Sequence, residues 1–448
     1  MSGKWKGIGL AVIALMLALT GCGSNSSGDS AGGTGGAGQS GGNSQPAKVE
    51  VSTNPVTLTF FVSAVKLTDT EFQLFMVDQL QKKYPYITLQ KLDGKLEDLI
   101  AGGQTPDLIL TDNDWFQPIQ KLGIPMELTD LTKKFSLDLG QFVPESIAAI
   151  RNMVDGGKLY SIPFSMNAGE MFYNKDIFDK FGVSYPKDNM TWDDVLALSR
   201  KITREEDGNN YVGWDPGFPD AVESPFVQPF VDSKTNKAVI DTPVYKKVFD
   251  MLKQQYDMPG FIGPKAKFAY GPDAFIKDQN LAMITEWHIK MTGPLIDAYN
   301  DNTFKNWDMT TIPNFPENAG KGRHALTSML LISQTSKYKD QAMQVILAAA
   351  SKEAQIVQSR NARIPVLTDQ EVIKQYGLDV PAMKGKNTDA IFKFKWSPTP
   401  KPNVNDKDVQ PFIRGLRKTI AVDKVDVNTA LRQAQADADK KLAELAAQ

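Results

Sequence analysis

Trp115 follows Asp112, Asn113 and Asp114 in the run TDNDWF, just after a stretch that reads as a strand. A flat aromatic ring beside hydrogen-bonding side chains is what a pyranose requires, because a sugar ring has an apolar C–H face and a rim of hydroxyls. The same group of residues also suits a positive ligand, through carboxylates and cation–π attraction. A tryptophan packed beneath its own loop is the structural alternative. Trp214 poses the same choice in GWDPGF, where Asp215 is its neighbour and Gly213 and Pro216 mark a loop.

Catalytic chemistry is poorly served. The chain has two histidines, His288 and His324, and one cysteine. A histidine-rich metal site is therefore excluded, and a Ser-His-Asp triad would have to use one of the two, with no G-x-S-x-G elbow near either. GGTGGAG has no strand before it, so it is not a phosphate-binding loop. EEDGNN (205–210) lacks the alternating ligands and closing glutamate of a calcium loop, and Asp207-Gly208 reads instead as a tight β-turn. No cofactor or metal is expected. Formal net charge is −2, with lysines and acids interspersed. This argues against a polyanion-binding surface, so no nucleic-acid partner is expected.

Strands alternating with helices must position these residues. VTLTFFVSA (56–64) is β-rich and alternating. TDTEFQLFMVDQLQKKYP follows with helical spacing: Thr68 as N-cap, Glu71 three residues on, and Phe72, Phe75, Met76 and Leu80 on one face. ITLQKL, KLEDLIAGG and PDLILTD then read as strand, helix and strand. That order implies a parallel sheet with right-handed crossovers, whose ligands collect beyond the carboxyl ends of the strands. TDNDWF lies at such an end. TWDDVLALSRKI is a further helix, with Thr191 and Asp194 at capping-box spacing.

The amino-terminal segment is of a different kind. Lys4 and Lys6 precede an apolar run from Ile8 to Leu19, too short for the ~20 residues of a membrane span but suited to a signal peptide. Leu19-Thr20-Gly21-Cys22 resembles the lipobox of bacterial lipoproteins, in which the cysteine is alkylated with diacylglycerol and becomes the first residue after cleavage. The Gly/Ser-rich stretch that follows reads as a flexible tether. Residues 1–21 are thus read as signal peptide and 22–55 as lipidated cysteine plus tether. The body of about 390 residues exceeds one ordinary core, so two domains are the default.

Lys158 to Pro163, then Tyr173-Asn174-Lys175, then Met190-Thr191-Trp192-Asp193-Asp194 resemble, in this order, motifs of the extracellular solute-binding proteins that include maltose-binding protein. GGQTPDLILTD, FIKDQNLAMITEW and DVNTALRQAQADADKKLAEL resemble further segments of that family, so the likeness covers roughly residues 56–445. Asp278-Gln279-Asn280 departs from it, standing where the family often has glycine.

The resemblance implies an α/β, two-lobed periplasmic-binding-protein fold of type II, each lobe a mainly parallel sheet flanked by helices, with three hinge crossings. The crossings are placed near 163–170, 273–280 and 327–331. Lobe 1 is then 56–165 with 279–328, and lobe 2 is 170–275 with 331–448. The implied function is capture of a solute, a carbohydrate on the aromatic reading, between the lobes and its delivery to the permease of an ABC importer. Trp287 is implied as a ligand-stacking aromatic, with Glu286 beside it; a core tryptophan is the alternative. Asn167 and Glu170 fall in the implied hinge, while Arg363 and Trp396 could each reach the cleft or pack elsewhere. The protein is expected to be a monomer, exported and held by lipid at the outer face of the cytoplasmic membrane, in a Gram-positive cell. A peptide, polyamine or other cationic solute is the alternative ligand. A tethered glycan hydrolase, needing two carboxylates across one cleft, is the alternative from another class.

Overall fold

Strand β1 (Val56–Val62) buries Leu58 and Phe60 and lies between β2 (Ile87–Leu92) and β3 (Leu108–Asp112), parallel to both. The structure, a computed structural model, describes residues 50–447. The expected signal peptide, Cys22 and most of the tether lie outside them. Every residue of β3 is buried, as in a strand covered on both faces. Thr68 caps the following helix through a reciprocal capping box with Glu71, and Phe72, Phe75, Met76 and Leu80 all face the core. One wide, π-type turn interrupts that helix at Gln73–Val77, where the Asp78 N–H donates to the Gln73 carbonyl.

The first sheet is completed by β4 (Ile162–Asn167) and by a strand from much later in the chain, β8 (Leu326–Ile332), in the order β2-β1-β3-β8-β4. β8 runs antiparallel to both neighbours. A second sheet sets β5 (Gly169–Asn174) between β6 (Met283–Trp287) and β7 (Trp307–Thr311). Helices Trp192–Ile202, Pro243–Tyr256, Asp406–Ala421 and Val427–Ala446 pack with one another in this second lobe. The terminal helix stands where the resemblance implied one. Thr191 and Asp194 form the expected capping box, and Asp207 and Gly208 (φ of 52° and 74°) close the expected two-residue hairpin. Gln279 has a φ of 52°, the left-handed conformation that a glycine would adopt without strain.

Three expectations need correction. The three strands of the second sheet pair antiparallel rather than mainly parallel, and the parallel contacts there are bridges from Val212 and Asp215 to the edge of β6. Residues 283–311 belong to this second sheet, not to the first lobe, because β6 and β7 take both edges of β5. Residues 339–360 belong with the first lobe, because the helices Lys339–Ala349 and Lys352–Arg360 pack on the helical segment 73–83. The chain therefore crosses between sheets first at 167–169, next between Thr311 and Leu326, and last after Ile373. The expected crossing at 273–280 lies within the second lobe, and 327–331 is the middle of β8.

Among the described residues no helix is long and apolar enough to cross a membrane.

Candidate ligand-binding cleft

β3 ends in a built turn. Asp112 Oδ1 accepts the Trp115 N–H at 3.0 Å, and Asn113 Oδ1 accepts the Thr327 N–H at 2.7 Å, tying the turn to β8. This lifts Trp115 off the lobe, leaving it 45% exposed. Its ring borders a cavity of about 400 Å³ lined by both lobes. Asp112, Asn113, Asp114 and Trp115 come from the first; Glu223, Ser224, Phe230, Asp406, Lys407 and Arg414 come from the second. Trp287, at the end of β6, lines it as well. The Arg323 guanidinium lies 3.6 Å from the centre of the Trp287 ring, and His324 meets the ring edge-on at 5.4 Å. A second cavity of about 140 Å³ adjoins, sharing Asp220, Trp287 and Arg414 with the first and adding Glu286, Lys290 and Arg323.

Carboxylates dominate the larger cavity. Burial, reinforced by Asp114, pushes Asp112 up to about 7, and burial pushes Asp406 up to about 6. Glu223 is raised well above the carboxylate range by burial and by Asp220. Enclosure works against Asp114 too, but His324, Lys407 and Arg323 outweigh it and hold that carboxyl below its ordinary value. Lys407 is thus the local counter-ion, and its Nζ sits 5.0 Å above the Trp115 ring. Arg414 is committed to Asp220 at 2.9 Å. Rings with polar rims and surplus acceptors fit a ligand rich in hydroxyl or other donor groups.

The sequence profile described as bacterial extracellular solute-binding protein matches residues 66–356. The chain belongs to that family. A curated Brucella abortus (strain 2308) protein, whose name describes a binding protein, is 25% identical over 265 residues. That match covers 56% of this chain and 60% of the Brucella protein, so the chain spans about 60% of the length of the Brucella relatives it matches. An ABC substrate-binding protein of Listeria monocytogenes, solved in complex with cycloalternan, superposes with a TM-score of 0.69 at 19% identity, over 87% of this chain and 100% of that one. A sugar transporter protein of Rhizobium etli, in an open conformation, gives 0.70 at 20% identity over 86% and 99%. The fold is the two-lobed periplasmic-binding-protein fold, mixed α/β.

Of the site residues expected from sequence, Asp112, Asn113, Trp115 and Trp287 line the larger cavity, and Glu286 lines the smaller. Glu286 also accepts the Trp287 N–H at 2.9 Å and pairs with Lys290. The others have structural places. Trp214 is fully buried and stacks on Trp192 with ring centres 5.3 Å apart, so it is core. Asp215 accepts the backbone N–H groups of Gly217, Tyr270 and Gly271 at 2.8–3.0 Å, bracing loops inside the second lobe. Arg363 donates to Glu71 and to the Lys66 carbonyl, pinning the first lobe's opening helix. Glu170 is wholly buried, 3.1 Å from His288 Nδ1, and His288 Nε2 contacts the Tyr376 hydroxyl, a chain of contacts between crossing segments. Asn167 Oδ1 accepts the Ala168 and Ile289 N–H groups, and its carbonyl accepts the Trp396 indole N–H at 2.9 Å. Both residues therefore hold the first crossing and do not line the cavity.

Sequence reading missed Asp220, Glu223, Arg323, Asp406, Lys407 and Arg414. Asp406, Lys407 and Arg414 lie on the polar side of an amphipathic helix and the others in short segments without motif, and only the fold brings them together. His324 was weighed only as a catalytic group; here it donates or accepts with Ser224 Oγ at 2.9 Å.

Proposed function

We propose that the protein captures a carbohydrate, an oligosaccharide by the size of the cleft, between its two lobes and delivers it to the permease of an ABC importer. The carrying observation is that Trp115 and Trp287, from different lobes, border one cavity of about 400 Å³ whose remaining walls are rich in acceptors. Two stacking surfaces from separate lobes let a sugar bind both, so that occupancy favours closure about the crossing segments. The sugar ligand named for the Listeria protein supports this reading. The lipidated Cys22, tether, outer-face location in a Gram-positive cell and monomeric state complete it. Intact mass after membrane extraction tests the lipid, and sedimentation of a stable dimer would sink the monomer.

Thermal melts against neutral oligosaccharides, oligopeptides and polyamines test the ligand class. A solute held at ~100-fold its dissociation constant stabilises the protein by ~2.7 kcal/mol, several degrees of melting temperature. The expected result is a shift with a neutral sugar and no turnover of it. Turnover would instead favour the glycan hydrolase. One observation favours a second reading: five carboxylates line the larger cavity against Lys407 and Arg414, as a cationic solute would require. Shifts confined to polyamines or basic peptides would establish that reading.

A further inference from the structure

Arg323 is 3% exposed, and its Nε is enclosed without a hydrogen-bond partner. Four carboxylates, Asp220, Glu286, Asp114 and Glu223, act on its charge, but none is hydrogen-bonded to it, and two are engaged elsewhere: Glu286 with Lys290, and Asp220 Oδ2 with Arg414. A buried guanidinium nitrogen without a partner is costly, and a native protein keeps one where something else completes it. The arginine is also deliberately housed. Gly169 stands directly opposite Trp287 in the β5–β6 pairing. A Cβ on Gly169 would overlap the Arg323 Cδ and approach its Cγ to 2.8 Å. The missing side chain thus leaves the channel through which the arginine stem reaches the Trp287 face. On the same small cavity lies Asp220, whose Oδ1 is buried without a partner.

We infer that this 140 Å³ cavity is a subsite that reads a hydroxyl of a neutral sugar unit through Arg323 and Asp220. The inference rests on the carbohydrate reading above and narrows it. One orphan atom donates and the other accepts. An ammonium has no lone pair for Arg323, and a carboxylate has no proton for Asp220. A hydroxyl serves both: its oxygen accepts from the guanidinium while its proton goes to the carboxylate. Trp287, already covered on one face by Arg323, supplies the apolar wall. Ordered water is the competing occupant, and it would make neither residue selective.

Calorimetric titration of the full-length protein separates these cases. The probes are maltotriose, mannotriose and cellotriose as neutral sugars, trigalacturonic acid as an anion, and the glucosamine trimer as a cation. A neutral trisaccharide is expected to bind, with affinity reduced at least about tenfold in both R323M and D220N. Single-deoxy analogues of that sugar then report on the native protein without any folding concern. Removing the recognised hydroxyl should cost at least about tenfold in the wild type and almost nothing further in R323M. An equal deoxy penalty in both proteins, or unchanged affinity in both variants, overturns the subsite while leaving carbohydrate capture standing. Binding confined to the charged trimers overturns it also. If no saccharide binds, the carbohydrate reading itself falls, and the subsite with it.

Discussion

The Lys407 ammonium, on a helix of the second lobe, sits 5.0 Å from the centre of the Trp115 ring on the first. It covers a face that a sugar would need, and it also neutralises part of the charge on Asp112, Asp114 and Asp406. An exposed cation–π contact is worth about 0.5–1 kcal/mol. A neutral ligand stacking on Trp115 must displace it. K407Q should therefore bind a neutral sugar about 2–5-fold more tightly, measured by titration calorimetry. Weaker binding would mean that Lys407 contacts the ligand directly.

The tryptophans should divide sharply. Trp115 is 45% exposed and packs on little, so W115A should leave the unliganded melt within about 0.5 kcal/mol of wild type and abolish most of the ligand-induced shift. Trp214 is enclosed and stacked on Trp192. W214A should cost about 3–5 kcal/mol of stability through the cavity it leaves. Comparing melts with and without ligand checks both. A W214A protein of full stability would return that residue to the cleft.

Acidity offers a third check. Asp112 titrates near 7 in the folded protein and near 3.8 unfolded, and Asp406 near 6. A raised folded value means that the native state keeps a proton which the unfolded chain gives up. The resulting stability is fully present below about pH 4 and is lost as pH rises through 6 to 7. D112N removes the titration, yet its amide oxygen can still accept the Trp115 N–H. Variant and wild type should match near pH 4, and the variant should be ahead by on the order of 2 kcal/mol at pH 8. Denaturant midpoints at the two pH values decide it.

Local grammar was legible in the chain wherever a few neighbouring residues decide the outcome. Thr68 with Glu71, Thr191 with Asp194, and Asp207-Gly208 each complete their motif within four residues, and each forms as read. The TDNDWF turn belongs here too, because Asp112 and Trp115 build it between themselves. Strand polarity is not local. The segment MITEW carries no mark of whether it joins the first sheet or flanks β5, so the lobe boundaries were misdrawn. Polar residues in irregular segments are equally silent. Asp215, Glu170 and Arg363 look like cleft residues because they are charged and lie in loops or near the hinge, yet each serves a buried structural contact. Asp220 and Arg323 are the reverse case, since their meeting depends on the crossing between Thr311 and Leu326.

Gly169 is the last of these dependences. Its value lies in space, not in backbone freedom, since a Cβ there would overlap the stem of Arg323. Both neighbours that could yield, Arg323 and the Ile312 side chain at 3.3 Å, are buried. G169A should therefore cost about 1–3 kcal/mol of stability, as overpacked sites do. It should also move the guanidinium from its place on Trp287. The tryptophan emission that is lost in a W287F control, and so belongs to Trp287, should change on G169A as it does on R323M. A G169A protein with native stability and an unchanged spectrum would show that the arginine reaches Trp287 without the channel, and that β5 begins with glycine for another reason.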